Sequence, residues 1–180
     1  MLRGQRVGLR HVTEADLPWI KHTLADPQLR GPFGGTRMTP PHAVEQRWKD
    51  TGYANDDAER LLICHLIDGS VIGDVVHFSA ARYTTAREIG WSMADLSMRG
   101  QGLTTEAAGL LVDYLFGNWP IHRLSCGMSV HNHASRRVAE KCGFQHEGIQ
   151  RGLVFVDGEY VDSHVLSLLR SDWRALKGRA

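Results

Sequence analysis

Between residues 87 and 118 the chain changes its hydrophobic period, and it does so across a loop with very little side chain. "REIGWSMA" (87–94) alternates, placing Glu88, Gly90 and Ser92 on one face of a strand and Ile89, Trp91 and Met93 on the other. From Leu103 the spacing turns helical: Leu103, Ala107, Leu110, Leu111, Tyr114 and Leu115 recur until Gly117 and Pro120. "MRGQGLTTEA" (98–107) joins the two. The first amides of a helix have no partner within it, and together with the helix dipole they favour an anion. Gly100 and Gly102 let that backbone approach phosphate oxygens with no Cβ in the way, and Arg99 adds charge nearby. The same glycines suit a plain tight turn, so the loop alone leaves both readings open. It is not a nucleoside-triphosphate P-loop, since no Gly-Lys-Ser/Thr follows at the required spacing. Nor is it a full dinucleotide fingerprint: residues 100–105, Gly-Gln-Gly-Leu-Thr-Thr, lack the third glycine.

The rest of the chain fits around this junction. "RVGLRHV" reads as a first strand, and Thr13, with Asp16 three residues on, opens a helix carrying Leu17, Ile20 and Leu24 that Asp26-Pro27 stops. "RGPFGGTR" (30–37) is a glycine-rich loop, and Thr39-Pro40 caps a second helix with Val44 and Trp48 on one stripe and a Glu45–Lys49 pair on another. "RLLICHLI" and "VIGDVVHFSA" flank the hairpin turn Asp68-Gly69. "HRLSCGMSV" is a strand, Asn132 caps a short helix ending at Gly143, and the terminal hairpin turns at Asp157-Gly158. No repeat or linker interrupts this order, which predicts one mixed α/β (α+β) domain over residues 1–180.

Composition narrows the setting. At 180 residues roughly 70% of the unfolded surface can be buried, so a core forms without a staple. The net charge is +1 with basic residues scattered, which argues against a nucleic-acid footprint. No apolar run reaches the eighteen or so residues of a membrane span, and the basic start lacks a signal-peptide core. Three irregularly spaced cysteines make no disulfide framework and point to a reducing cytoplasm. His131-x-His133 between Cys126 and Cys142 matches no standard zinc spacing, so no metal is expected.

"RGQGLTTEA" resembles the pyrophosphate-binding loop of the GNAT superfamily of acetyl-CoA-dependent N-acetyltransferases, and more closely that of its RimJ/RimL-type branch. "EIGWSM" resembles the branch's fourth strand, and "NHASRRVAEKCGFQHEG" (132–148) its Asn-x-x-Ser…Glu-Lys-x-Gly-Phe…Glu-Gly block. The early "LRHVTEADLPWI" and late "DGEYVDSHVLSLLRSDW" fit too, so the likeness covers nearly the whole chain. It implies a mostly antiparallel seven-stranded sheet, splayed between strands 4 and 5 and flanked by about four helices. It also implies a cytoplasmic enzyme that moves the acetyl group of acetyl-CoA to a primary amine in a ternary complex. The amine is a protein N-terminus or a small molecule, and a homodimer is the default assembly.

By the same resemblance Arg99, Gly100, Gln101, Gly102, Leu103 and Thr104 hold the diphosphate, Asn132 touches the pantetheine arm, and the pantetheine lies along the exposed amides of 92–95 as an added strand. An amide at Met93 or Ala94 is then placed to receive the oxyanion. Thr104 stands where the family prefers Gly or Ala; its hydroxyl can donate to phosphate, or its bulk can weaken the fit. Glu88 is the candidate base, with an ion-paired strand carboxylate as the other reading. Ser135 is the candidate acid for the departing thiolate, or an ordinary first-turn serine, because Ala139 occupies the position where many family members carry Tyr. Phe33, Trp48 and Tyr53 lie on segments that cover the acceptor groove in this fold, although Trp19, Trp48 and Trp91 also suit a core. A non-catalytic acyl-CoA sensor is the rival function.

Overall fold

The protein is described by a computed structural model over residues 1–35, 37–156 and 158–178. A short strand β1 (Leu2–Arg3) precedes β2 (Val7–His11), α1 (Leu17–Ala25) and α2 (Pro41–Thr51). Then come β3 (Ala58–His65), β4 (Val71–Ser79), β5 (Arg87–Met93) and α3 (Leu103–Asn118). The chain ends with β6 (Arg123–Ser129), α4 (His133–Lys141), β7 (Gln145–Val156), β8 (Glu159–Leu169) and α5 (Arg170–Lys177). The strands form one sheet in the order β1-β2-β3-β4-β5-β6-β8-β7. Every described pairing is antiparallel except β5 with β6.

The splay falls where it was expected. β5 and β6 share only Arg87↔Leu124 and Glu88↔Ser125, and then part. β4 follows β5 without irregularity from Ser79↔Arg87 to Gly73↔Met93, and β8 follows β6 from Arg123↔Leu169 to Ser129↔Ser163. The two strands that border the seam therefore keep their outer partners while they part from each other.

Helix α3 explains which way the sheet faces. Leu103, Ala107, Leu111 and Leu115 form one buried row, and Ala108, Val112 and Phe116 a second beside it. This broad apolar stripe packs on Val7, Leu61, Val75 and Ile89 to make the main core. The opposite face carries a smaller cluster, in which Val12, Leu17, Ile20, Val44 and Tyr53 from the α1–α2 segment cover Leu62.

Two elements exceed the expected seven strands and four helices. β1 has only two residues, too few to show a period. α5 continues directly from β8; Trp173 stacks on Phe116 and donates to Asp113 at 2.8 Å, while Arg170 caps the end of α3 through the carbonyls of Phe116, Trp119 and Ile121 at 2.6–2.7 Å. Local partners also shift. Glu45 pairs with Lys21 of α1 at 2.5 Å rather than with Lys49, because α1 and α2 lie side by side. Pro40, not Thr39, occupies the cap position of α2. The expected turn at Asp157-Gly158 lies in part outside the described residues, since Asp157 is not among them.

Candidate active site

The loop after β5 is assembled by small local bonds. Asp95 accepts from the Ser97 amide and hydroxyl, making a 3-10 turn over Leu96–Met98. Gly100 and Gly102 then adopt φ of 77° and 80°, the left-handed region that glycine enters without strain. A Cβ at Gly100 would stand in open space. Arg6 holds the loop from outside, donating to the Gln101 carbonyl at 2.8 Å. Glu106, in the first turn of α3, accepts from the amides of Gln5, Arg6 and Val7. Burial alone would raise its carboxyl, but those amides and the Arg6 side chain overcome it and hold the group below its usual range.

What remains is a row of donors. Among the described residues the main-chain amides of 100 to 105 meet no acceptor, and Glu106 is the first whose amide closes a helical bond, to Gly102. Leu103 sends its side chain into the main core, so the α3 N-terminus is fixed while its amides stay free. Arg99 makes contacts on the β5 side. Its Nη2 donates to the Met93 carbonyl at 3.2 Å and would stand 2.8 Å from a Cβ at Gly31. It therefore links the end of β5 to the loop after α1.

The seam between β5 and β6 is the second component. Antiparallel pairing turns alternate peptide groups toward each neighbour, and the Ala94 amide donates to Ile72 on the β4 side at 3.0 Å. The alternation directs the peptide groups of Trp91 and Met93 to the other side, where the ladder with β6 has already ended at Glu88↔Ser125. This corrects the expectation for Ala94: its amide is engaged and is no oxyanion donor. The Met93 amide faces the gap, while the Met93 side chain is buried in the main core.

Glu88 sits at the vertex of the gap. A Cβ at Gly127 across the seam would stand 4.0 Å from its Oε1, so the carboxylate faces Gly127 of β6 across the gap. Glu88 forms no ion pair among the described residues, and burial, with no cation beside it, pushes its carboxyl above the usual range. Its neighbour Arg87 points to the opposite face, donating to Ser79 Oγ and the carbonyls of Asp56 and Asp57.

At the end of β6, Asn132 caps α4, its Oδ1 accepting from the Ser135 amide at 3.1 Å. The Ser135 hydroxyl has no partner among the described residues, so the capping falls to Asn132. Thr104 is half-buried in the first turn of α3. Burial pushes the thiols of buried Cys126 and half-buried Cys142 up to about 12, which removes them as nucleophiles near neutral pH. No cluster of three or more metal-ligating side chains occurs among the described residues.

On the α1–α2 face a groove of about 340 Å³ runs over the sheet, lined by Trp19, Arg30, Phe33, Arg60, Asp74 and Ser92 among others. Gly90 and Ser92 line it, and Glu88 shares their strand face. Buried Asp74 accepts from Arg60 Nη1 at 2.5 Å and from the Ser92 hydroxyl. Of the three expected acceptor-side residues only Phe33 lines this groove. Trp48 packs against the small cluster and lines no described cavity. Tyr53, buried at φ 64°, borders a separate cavity of about 690 Å³ beneath α2, with the guanidinium carbons of Arg47 and Arg60 5.9 and 5.8 Å from its ring centroid. Arg30, Arg60 and Asp74 were not expected. A charge inside an apolar strand, as in "VIGDVVHF", was the available signal for Asp74.

A mixed sheet that opens at its one parallel pair, with free helix amides at the carboxyl end of that pair, is the architecture of α/β proteins that take an anionic ligand there. The chain belongs to the GNAT acetyltransferase family: the model of the Acetyltransferase (GNAT) domain matches residues 6–145. It is 37% identical over 105 residues to the "Probable N-acetyltransferase YjcK" of Bacillus subtilis (strain 168), covering 58% of either chain. It is 28% identical over 85 residues to the ribosomal protein uS5-alanine N-acetyltransferase of Escherichia coli (strain K12), covering 47% of this chain and 43% of that protein. The matches thus span about half the length of these relatives. In fold it is similar to the spermidine N-acetyltransferase of Vibrio cholerae, solved with CoA and spermine, at a TM-score of 0.83 and 18% identity over 95% of this chain and 99% of that one.

Proposed function

We propose that this chain is an N-acetyltransferase that moves the acetyl group of acetyl-CoA to a primary amine by direct transfer in a ternary complex. The carrying observation is the row of amides at 100–105, unpartnered among the described residues, beside the open seam. In this reading the diphosphate sits on those amides, with Gly100, Gln101, Gly102, Leu103 and Thr104 as its cradle. The pantetheine lies along the free edge of β5 at Trp91 and Met93, near Asn132. Arg99, tied to the Met93 carbonyl, fastens the loop rather than reaching for the diphosphate.

The chemistry follows from the gap. Glu88, raised by burial and unpaired, takes a proton from the incoming ammonium or amine, directly or through a water. The amine nitrogen bonds to the thioester carbonyl carbon while the Met93 amide donates to the carbonyl oxygen. The C–S bond then breaks, and the thiolate leaves with a hydrogen bond from the Ser135 hydroxyl before taking up a proton as free CoA. In this reading the acceptor enters by the groove over the α1–α2 face, whose lining residues Gly90 and Ser92 share a strand face with Glu88. The relatives' names favour a ribosomal-protein N-terminus or a small amine as that acceptor. The unpaired cysteines suit a cytoplasmic setting. Exposed Ile149, Leu153, Phe155 and Tyr160 on the β7–β8 hairpin offer a surface for a homodimer, which light scattering after size exclusion tests.

The decisive experiment pairs calorimetric titration of acetyl-CoA with thiol release across a panel of amines that includes peptides with free N-termini. Binding with release supports the transferase. Binding with no release for any amine would favour the acyl-CoA sensor, the reading that Ala139 in place of Tyr keeps alive.

A further inference from the structure

The ionic side chains lining the groove are Arg30, Arg60 and Asp74. Asp74 supplies the carboxylate, and both of its oxygens are occupied: Oδ2 by Arg60 Nη1 at 2.5 Å and Oδ1 by the Ser92 hydroxyl. An acceptor that brings extra ammonium groups here finds a carboxylate already neutralised by a guanidinium. Donors, by contrast, are in surplus. Arg60 Nε and Nη2 bond to nothing among the described residues. Arg30 gives Nη2 to the Arg37 carbonyl at 2.9 Å, and its buried Nε meets no acceptor among the described residues. A guanidinium with free donors is matched by a carboxylate, in geometry as well as in charge. Trp19, Leu24 and Phe33 form the apolar wall. The volume, about 340 Å³, lies at the small end of the roughly 300–1,000 Å³ of ligand cavities, room for one residue-sized body.

We infer that the acceptor carries a carboxylate close to its amine, on an apolar body, and that the Arg30–Arg60 edge of the groove selects it over a polyamine. The inference rests on the groove being the acceptor site of the proposed transferase. A free apolar α-amino acid and a peptide N-terminus followed by an acidic residue present the same chemistry.

The test is calorimetry on the protein saturated with CoA, which reads acceptor binding without turnover. L-phenylalanine is titrated against L-phenylalaninamide and spermidine, and the amidated dipeptide Phe-Asp against Phe-Asn. The expected result is a preference of about tenfold or more for the carboxylate member of at least one pair, with spermidine weaker than both. The amino-acid pair responding marks a small-molecule acceptor; the dipeptide pair marks a protein N-terminus. Arg30→Gln, with unchanged circular dichroism, brings the preferred ratio toward one, while Arg30→Lys keeps part of it. Equal binding within both pairs, tighter binding of spermidine, no binding of any probe, or a ratio indifferent to Arg30→Gln overturns the inference. Thiol release is read separately. Selective binding without release removes the transferase and leaves the preference; release from every amine alike does the reverse.

Discussion

The two faces of the sheet are built for different ends. The α3 face is a broad apolar stack in which Leu111, Leu115, Phe116, Leu124, Leu166 and Leu168 are almost wholly removed from water. The α1–α2 face has a small cluster around Leu62, and beside it buried polar groups and two cavities. Ion pairs such as Arg10–Asp16 and Arg60–Asp74 hold this side together. Dense apolar packing resists local change, whereas a surface partly held by polar contacts can leave room for a ligand. Stability should therefore concentrate on one face, and chemistry on the other and at the seam.

Glu88→Gln is the strongest challenge to that division. Turnover should fall by about 10²–10⁴-fold, the range for loss of a general base, while acetyl-CoA affinity by calorimetry holds. In the wild type, turnover should decline as pH drops through the raised carboxyl value, above the ordinary carboxylate range. Stability should move the other way. A carboxyl raised on folding stabilises least above its folded pKa, so the Gln variant should melt higher near neutral pH, with the advantage vanishing in acid. Full activity in the variant would remove Glu88 from the reaction.

Leu111→Ala probes the opposite face. It should cost about 2–5 kcal/mol in urea titrations, as for other fully buried leucines, with kcat/KM per folded molecule unchanged. A large loss of kcat/KM with little loss of stability would break the comparison. Gly102→Glu returns to the seam: a side chain forced to φ 80° and a carboxylate facing the diphosphate should weaken acetyl-CoA by about a hundredfold or more, with circular dichroism preserved. Unchanged affinity would refute the diphosphate role.

The smallest effect concerns the ionic side. Arg10 and Thr13 hold the Asp16 carboxyl at about 2, below its ordinary 3.8. Asp16→Asn should thus cost about 2 kcal/mol at pH 7. Because the native value is the lower one, the wild-type advantage is present above the unfolded pKa and disappears as pH falls from about 4 to about 2. A constant difference between pH 7 and pH 2 would show that the ion pair is not its source.

Much of this molecule was legible in one dimension. The alternation of 87–94 fixed which side of β5 carries Glu88, and the period change at Leu103 located α3. Asn132 as a cap and Gly100 and Gly102 in left-handed turns follow from local rules that need no distant contact. Arg99 shows the opposite: the sequence sets a long side chain beside the glycine loop, and only folding brings it to a carbonyl six residues back and a glycine far away in sequence.

The chain by itself determined the order of its strands and helices, the bare backbone ahead of α3 and the absence of bulk at Gly127. Periodicity and residue size are written locally and act locally. The folded molecule alone decided that the Ala94 amide is tied to Ile72 while that of Met93 turns to the seam, that Arg60 neutralises Asp74, and that Arg30 keeps a buried donor with no partner among the described residues. Each depends on which groups from distant segments meet after packing, and no local pattern records which partner a hydrogen bond or a charge will find.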